Sequence, residues 1–135
     1  MRRCHGTVSV PCQYLIRPGK HHQIVLQGFD LFLFIAGQVG AGKDGKAPDD
    51  FDAQCGLVFA NLGAALSSQG ASFANVVEFT TYLVHSQDIA KFMAWRLREF
   101  PRMFPDGKYP PNTLLVIDRL VQEHFLVEVQ TIAVI

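Results

Sequence analysis

The sequence has few cysteines, and they are not spaced as a metal or disulfide site would require. Its 135 residues contain three, Cys4, Cys12 and Cys55, without a Cys-x-x-Cys pair. An odd number of dispersed thiols argues against a disulfide framework and fits a reducing compartment. The five histidines show no His-x-x-x-His pairing. We therefore predict no metal site.

The sequence also has no excess of either charge sign and no long apolar run. Twelve basic and 12 acidic residues balance to a net charge of +0, so nothing attracts nucleic acid or an anionic membrane in general. No apolar run approaches the roughly 20 residues of a membrane span, and no apolar signal core follows Met1. We expect a cytoplasmic protein of one domain, residues 1–135, with neither membrane nor nucleic acid as partner.

The sequence does contain several apolar runs of β type. Residues 23–27 and 31–36 are separated by Gly28-Phe29-Asp30, which predicts a hairpin. The second run is almost continuous in Leu, Phe and Ile, so we expect it to be buried on both faces. Residues 73–84 alternate as a long strand should, and residues 125–133 predict a closing strand.

Two intervening segments have helical spacing. Asp49 or Asp50 can cap the first, and Gly70 can end it. Ser86 can cap the second, and Pro101 can close it. The first helix has one apolar stripe of Phe51, Cys55, Val58, Phe59, Leu62, Ala65 and Leu66. Alternation of such helices with the strands predicts an α+β sandwich of one sheet and two helices.

The apolar residues of the second helix predict which of its sides is buried. Ile89, Phe92, Met93 and Phe100 share one face, while Trp95 and Leu97 fall off it. We expect the first set to lie against the sheet. The second set is then a candidate subunit contact, although a lone exposed aromatic residue is also common.

Common catalytic and nucleotide motifs are absent. The glycines between Gly37 and Gly42 are followed by a turn and Pro48 rather than by a helix, which argues against a dinucleotide loop. No Gly-x-Ser-x-Gly elbow is present for a serine nucleophile. The unexplained residue is Glu128, because a carboxylate in the middle of an apolar strand is costly unless something uses it.

Three segments together resemble a known family. They are Ile35-Ala36-Gly37-Gln38-Val39-Gly40, Tyr109-Pro110-Pro111-Asn112-Thr113 and the closing strand around Glu128. Their order and spacing, over roughly residues 13–135, resemble the RidA/YjgF/L-PSP superfamily of small enamine and imine deaminases. Asn112 stands where that family has its catalytic arginine, so the chain is similar to the arginine-less, YjgH-like branch.

The resemblance implies a chorismate-mutase-like (bacillus type) sandwich, with one mixed β-sheet and two helices packed on one face. It also implies a homotrimer with ligand clefts between subunits. Glu128 would be catalytic, activating water for cofactor-free hydrolysis of a C=N bond. The alternative for Glu128 is a structural ion pair with a nearby Lys or Arg. The implied substrate-binding residues are Gly37, Gln38, Asn112, Thr113 and His22, or Gln23 in place of His22.

Asn112 cannot act as an arginine does. Loss of a charge-assisted bidentate clamp forfeits about 1.5 to 3 kcal/mol of carboxylate binding, so we expect a neutral or less acidic ligand. Arg96, one turn beyond Met93 on the second helix, could supply a cation instead. The expected function is deaminase-like hydrolysis of a small imine, enamine or related carbonyl metabolite. The alternative is a non-catalytic metabolite-binding or regulatory module, and an endoribonuclease fits the neutral charge poorly.

Overall fold

The computed structural model describes residues 23–27 and 31–135, and of the first segment only the backbone. The strands are β1 Gln23–Gln27, β2 Leu31–Val39, β3 Val76–Leu83, β4 Asn112–Val116 and β5 Val127–Val134, and the helices are α1 Phe51–Ser67 and α2 Asp88–Met103. Within these ranges no helix combines the length and the apolar character needed to cross a membrane.

The five strands form one mixed sheet in the order β1-β2-β5-β3-β4. Every neighbouring pair is antiparallel except β3 and β4, which are parallel and are joined through α2. Both helices pack on one face of this sheet. The predicted α+β sandwich is therefore confirmed.

The predicted hairpin is confirmed, but a single chain buries only one of the two faces of its second strand. β1 pairs with β2 from Gln23↔Ile35 to Gln27↔Leu31, and residues 28–30 lie outside the described residues. Leu33 and Ile35 are buried, whereas Phe32 is 41% exposed. Because both helices cover the same face of the sheet, the other face of β2 has no covering layer within the described chain.

Helix α1 forms as the sequence predicts. The side chain of Asp50 caps it by accepting a hydrogen bond from the Ala53 backbone N–H, at 2.7 Å. The predicted apolar stripe is buried along its whole length. After the helix, Gly70 adopts a positive φ of 72°, and the Ala71 N–H donates to the carbonyl of Leu66. The left-handed glycine is what allows the chain to turn back toward the sheet.

Helix α2 departs from the prediction at both ends and in its orientation. Gln87 rather than Ser86 is its N-cap, without a side-chain hydrogen bond, and Pro101 lies inside the last turn instead of ending the helix. Phe92 and Phe100 of the predicted face are buried, but Met93 is 45% exposed, and Trp95, predicted to lie off that face, is buried. The apolar residues of α2 occur on several sides of the helix, so their spacing alone did not identify the side that packs on the core.

A cluster of aromatic side chains fills the space between the helices and the sheet. The ring of Phe59 lies 4.7 Å from that of Trp95 and 5.7 Å from that of Phe79. Phe100 contacts both Phe59 and Phe79, at 5.5 and 6.1 Å between ring centroids. Several of these pairs meet edge to face, the arrangement that aromatic quadrupoles favour.

The long third strand begins later than its sequence predicts. Phe73–Asn75 form a 3-10 turn, which Ser72 and Asn75 close with reciprocal hydrogen bonds between side chain and backbone. The strand proper starts at Val76, and its pairing with β5 shifts register between Val76 and Glu78. This bulge determines which residues of β3 face the helices.

Candidate functional site

Glu128 lies near the start of β5 on the face of the sheet that the helices leave uncovered. Its neighbours Val127 and Val129 are fully buried toward the helices, so alternation directs the glutamate to the other side. In register it lies between Val39 of β2 and Tyr82 of β3. The carboxylate is therefore presented from near the middle of the sheet rather than from a loop.

The space that the Glu128 carboxylate occupies exists because residue 37 is a glycine. Pairing between β2 and β5 is irregular between Ile35 and Gln38. A Cβ atom on Gly37 would overlap the Glu128 side chain, with Oε1 as the nearest atom. The carboxylate thus lies directly over the backbone of Gly37. The structure brings these two predicted site residues together.

The Glu128 carboxylate has no partner among the described residues. No Lys, Arg or His there forms an ion pair with it, and no group donates a hydrogen bond to it. Burial raises the pKa of Glu128 above its ordinary value of 4.5. Neither oxygen is sealed from solvent. The predicted alternative, a structural ion pair, finds no partner in this part of the chain.

Gln38 is buried, and its amide is already used by the backbone. Nε2 donates to the carbonyl of Ala36 at 2.8 Å and to that of Gly37 at 3.3 Å. The side chain therefore holds the irregular segment of β2 in shape. Its predicted role as a direct ligand contact stays a prediction, because these bonds engage only the amide N–H groups.

Asn112 and Glu128 lie on opposite faces of the sheet. Asn112 pairs in register with Phe79, which faces the helices, and its Oδ1 accepts a hydrogen bond from Thr81 Oγ1 at 2.8 Å. Thr113 is exposed on the uncovered face, beside Thr80. The two principal predicted residues therefore do not converge within one chain.

Two residues beside Glu128 were not predicted from the sequence. Tyr82 pairs with Glu128 in register, and its hydroxyl donates a long hydrogen bond of 3.5 Å to Gln130 Oε1. Both side chains lie on the uncovered face. Alternation of polar positions in β3 and β5 contained the signal, but the pairing register that joins the two strands is not readable from either strand alone.

A cavity of about 480 Å³ lies next to Gly37, where β2 ends. Its lining includes Gly37, Gln38, Lys43 and Asn61. Asn61 Nδ2 donates to the carbonyls of Val39 and Ala41, each at 3.0 Å, which ties the loop after β2 to helix α1. The predicted site residue His22 lies outside the described residues. For its alternative, Gln23, only the backbone is described.

The chain is similar to known proteins in sequence and in fold. The family model described as Endoribonuclease L-PSP matches residues 19–135. The RutC family protein YjgH of Escherichia coli is 40% identical over 50 residues, which are 37% of this chain and 38% of that protein. The RutC family protein slr0709 of Synechocystis is 29% identical over 107 residues, covering 77% and 78% of the two chains.

One solved structure shows the extent of the likeness in fold. The crystal structure of E. coli TdcF with bound serine superimposes with a TM-score of 0.74 at 22% sequence identity, covering 88% of this chain and 91% of that one. Among the residues with described positions, no group of three or more His, Cys, Asp or Glu side chains could hold a metal ion.

Proposed function

The chain belongs to the Endoribonuclease L-PSP family, and from that premise we propose that it hydrolyses the C=N bond of a small imine, or of the imine tautomer of an enamine. The observation that carries this proposal is the half-buried Glu128 carboxylate over the backbone of Gly37, which has no partner among the described side chains of residues 31–135. A carboxylate with a raised pKa and no cation beside it is a suitable general base or acid.

In the proposed reaction, Glu128 accepts a proton from a water molecule as that water attacks the imine carbon. The protonated carboxyl group then returns the proton to nitrogen, which gives a carbinolamine. Glu128 next takes the proton of the carbinolamine hydroxyl group and delivers it to the amino nitrogen, so the carbonyl forms as the C–N bond breaks and ammonia leaves. The products are a carbonyl compound and ammonia, so atoms and charges balance without a cofactor. Burial of Glu128 supports both steps, because it brings the carboxyl pKa closer to the working pH.

We also propose that the ligand cleft forms between subunits of a homotrimer. Asn112 and Glu128 can contact one ligand only if they come from different chains, since each chain places them on opposite faces of its sheet. The uncovered face carries half-exposed apolar side chains, Phe32 and Phe34, that a second copy could cover. Light scattering should report three chains of 15.0 kDa each, and a stable monomer would contradict the shared cleft.

The proposed ligand is a small metabolite of about amino-acid size. Serine is bound in the TdcF structure, and the similar fold supports a ligand of that size here. Asn112 offers a neutral amide, whereas a charge-assisted pair with a ligand carboxylate would require a cation. Its Oδ1 already accepts a hydrogen bond from Thr81. Endoribonuclease activity, which the family description names, is not part of this proposal because the net charge is +0.

The decisive experiment replaces Glu128 with Gln and measures turnover. Imines generated in situ from several amino acids are offered to the wild type, and formation of the carbonyl product is followed. Glu128→Gln should lower turnover by at least about 100-fold, since a near-isosteric amide cannot accept a proton. Glu78→Gln is the matched control, because Glu78 is an exposed carboxylate on β3 and should not affect the rate.

A binding module on the same fold is the competing function. The observation that favours it is the missing charge at Asn112, which leaves less binding energy to direct toward a transition state. It would be supported if the wild type bound an imine analogue but released no carbonyl product. Equal turnover by the wild type and Glu128→Gln would refute the catalytic assignment.

A further inference from the structure

Arg96 differs from the other arginines that the structure describes. Arg98 pairs with Asp52 and Glu99, Arg102 with Glu99, and Arg119 with Glu123. Within residues 31–135, Arg96 has no such partner, and its Nε atom is buried without a hydrogen-bond acceptor. A buried donor of a charged group that has no acceptor is costly, so its position calls for an explanation.

The surroundings of Arg96 are aromatic and apolar. Its guanidinium lies 4.6 Å from the centroid of the Phe100 ring and 6.0 Å from that of Phe92. Stacking on these rings explains where the planar group lies. This stacking provides no hydrogen-bond acceptor for the Nε–H group. The rings contact the face of the guanidinium, whereas its N–H groups point outward in its plane.

A small cavity opens beside this guanidinium. It measures about 130 Å³ and is lined by Met93, Arg96, Leu97, Phe100 and Tyr109. Met93 and Leu97 are 45% and 78% exposed, so the cavity is reached from the surface of α2. Apart from Arg96 and the Tyr109 hydroxyl, the lining is apolar. Burial lowers the pKa of Arg96, but the ordinary pKa of an arginine is so far above neutral pH that the side chain keeps its charge.

We infer that this cavity beside α2 binds a small carboxylate that carries an apolar body, with Arg96 as the anion-binding group. A carboxylate in the cavity can bond two guanidinium N–H groups side by side through the terminal nitrogens, because only Nε of this side chain is sealed from solvent. The apolar part would lie against Met93, Leu97 and Phe100. A cavity of about 150 Å³ can hold benzene, so the body here has about six carbons or fewer.

This site is separate from the proposed hydrolytic one within a chain. Arg96 belongs to the helix layer, whereas Glu128 lies on the uncovered face of the sheet. The inference can therefore be tested by binding alone, without any turnover. Failure of the proposed hydrolysis would leave the result unchanged.

The test is an NMR titration with benzoate and its neutral analogue benzamide, followed at the Met93 methyl group and the Tyr109 ring. Benzoate should bind at least about tenfold more tightly than benzamide, because only the anion forms charge-assisted bonds. Arg96→Gln should abolish this preference. Arg102→Gln is the matched control, since Arg102 lies on the same helix and pairs with Glu99, and it should leave the preference unchanged.

A second variant guards against a loss of folding in Arg96→Gln. Arg96→Lys keeps the charge but not the planar pair of donors, so it should retain a reduced preference for benzoate. Equal affinities of the wild type for benzoate and benzamide would overturn the inference. So would a preference that persists unchanged in Arg96→Gln or Arg96→Lys, or shifts confined to the surroundings of Glu128.

Discussion

The two faces of the sheet differ in what covers them and in what they carry. Toward the helices, Leu33, Phe79 and Val129 are sealed beneath the aromatic cluster. On the other face, Phe32 is 41% exposed and Glu128 has solvent access. The covered face contains the packing that stabilises the chain. The uncovered face carries Glu128, to which we assign the proposed proton transfers.

The difference shows why a carboxylate without an ion pair can be accommodated in this sheet. On the covered side, an unpaired charge would be cut off from water and would have to be neutralised or paired. On the uncovered side, Glu128 is desolvated enough to raise its pKa but remains accessible. Half burial therefore combines a tolerable cost with a perturbed acid–base group.

The largest expected effect is on folding stability, on the covered face. Phe100→Ala should cost about 3 to 5 kcal/mol of unfolding free energy, because it leaves a cavity at the centre of the aromatic cluster. Phe32→Ala on the uncovered face is the control and should cost less than about 1 kcal/mol in a dissociated chain. Urea unfolding measures the loss of unfolding free energy in both variants. Equal losses would contradict the expected difference between the two faces.

Gly37→Ala should impair the proposed reaction more than it impairs folding. The added Cβ would meet the end of the flexible Glu128 side chain rather than backbone, so the carboxylate must move. We expect turnover to fall by at least about tenfold, since a misplaced base loses its geometry. Gly56→Ala meets no atom within 4 Å in helix α1 and should leave turnover unchanged. An unimpaired Gly37→Ala enzyme would argue against the site.

Two buried threonines on the covered face should respond differently to the same change. Thr81→Val removes the donor to Asn112 Oδ1 and should cost about 1 kcal/mol. Thr131 Oγ1 is buried and has no hydrogen-bond partner within residues 31–135, so Thr131→Val should be neutral or slightly stabilising. Chemical unfolding of the two variants side by side measures this difference. A larger loss for Thr131→Val would mean that its hydroxyl has a partner after all.

The smallest expected effect is the pH dependence that Glu128 adds to stability. Its folded-state pKa is raised above 4.5, so the stabilisation from its protonated form is full below that value and is lost as the pH rises through the folded pKa. Glu128→Gln cannot titrate, and its stability relative to wild type should therefore increase over the pH range in which Glu128 deprotonates, from its ordinary pKa of 4.5 upward. Urea midpoints across that range measure it. A relative increase on acidification would show the opposite sign of the pKa shift.

Local patterns in the sequence were sufficient for most of the fold. Apolar runs identified β2 and β5, alternation identified β3, and a capping aspartate, Asp49 or Asp50, with the apolar stripe identified α1. These features depend on neighbours within a few residues, through strand alternation, helical spacing and capping. Gly37 and Glu128 were also identified from their segments, and the structure brings them into contact.

The tertiary structure decided what local patterns cannot. Trp95, not Met93, faces the core because the aromatic cluster selects the side of α2 that packs. Asn112 and Glu128 lie on opposite faces because strand register, which involves distant segments, sets their directions. That Arg96 Nε has no acceptor within the described part of the chain likewise follows only from the positions of its neighbours. The sequence by itself determined the elements and the family resemblance, whereas packing and register determined which side chains meet.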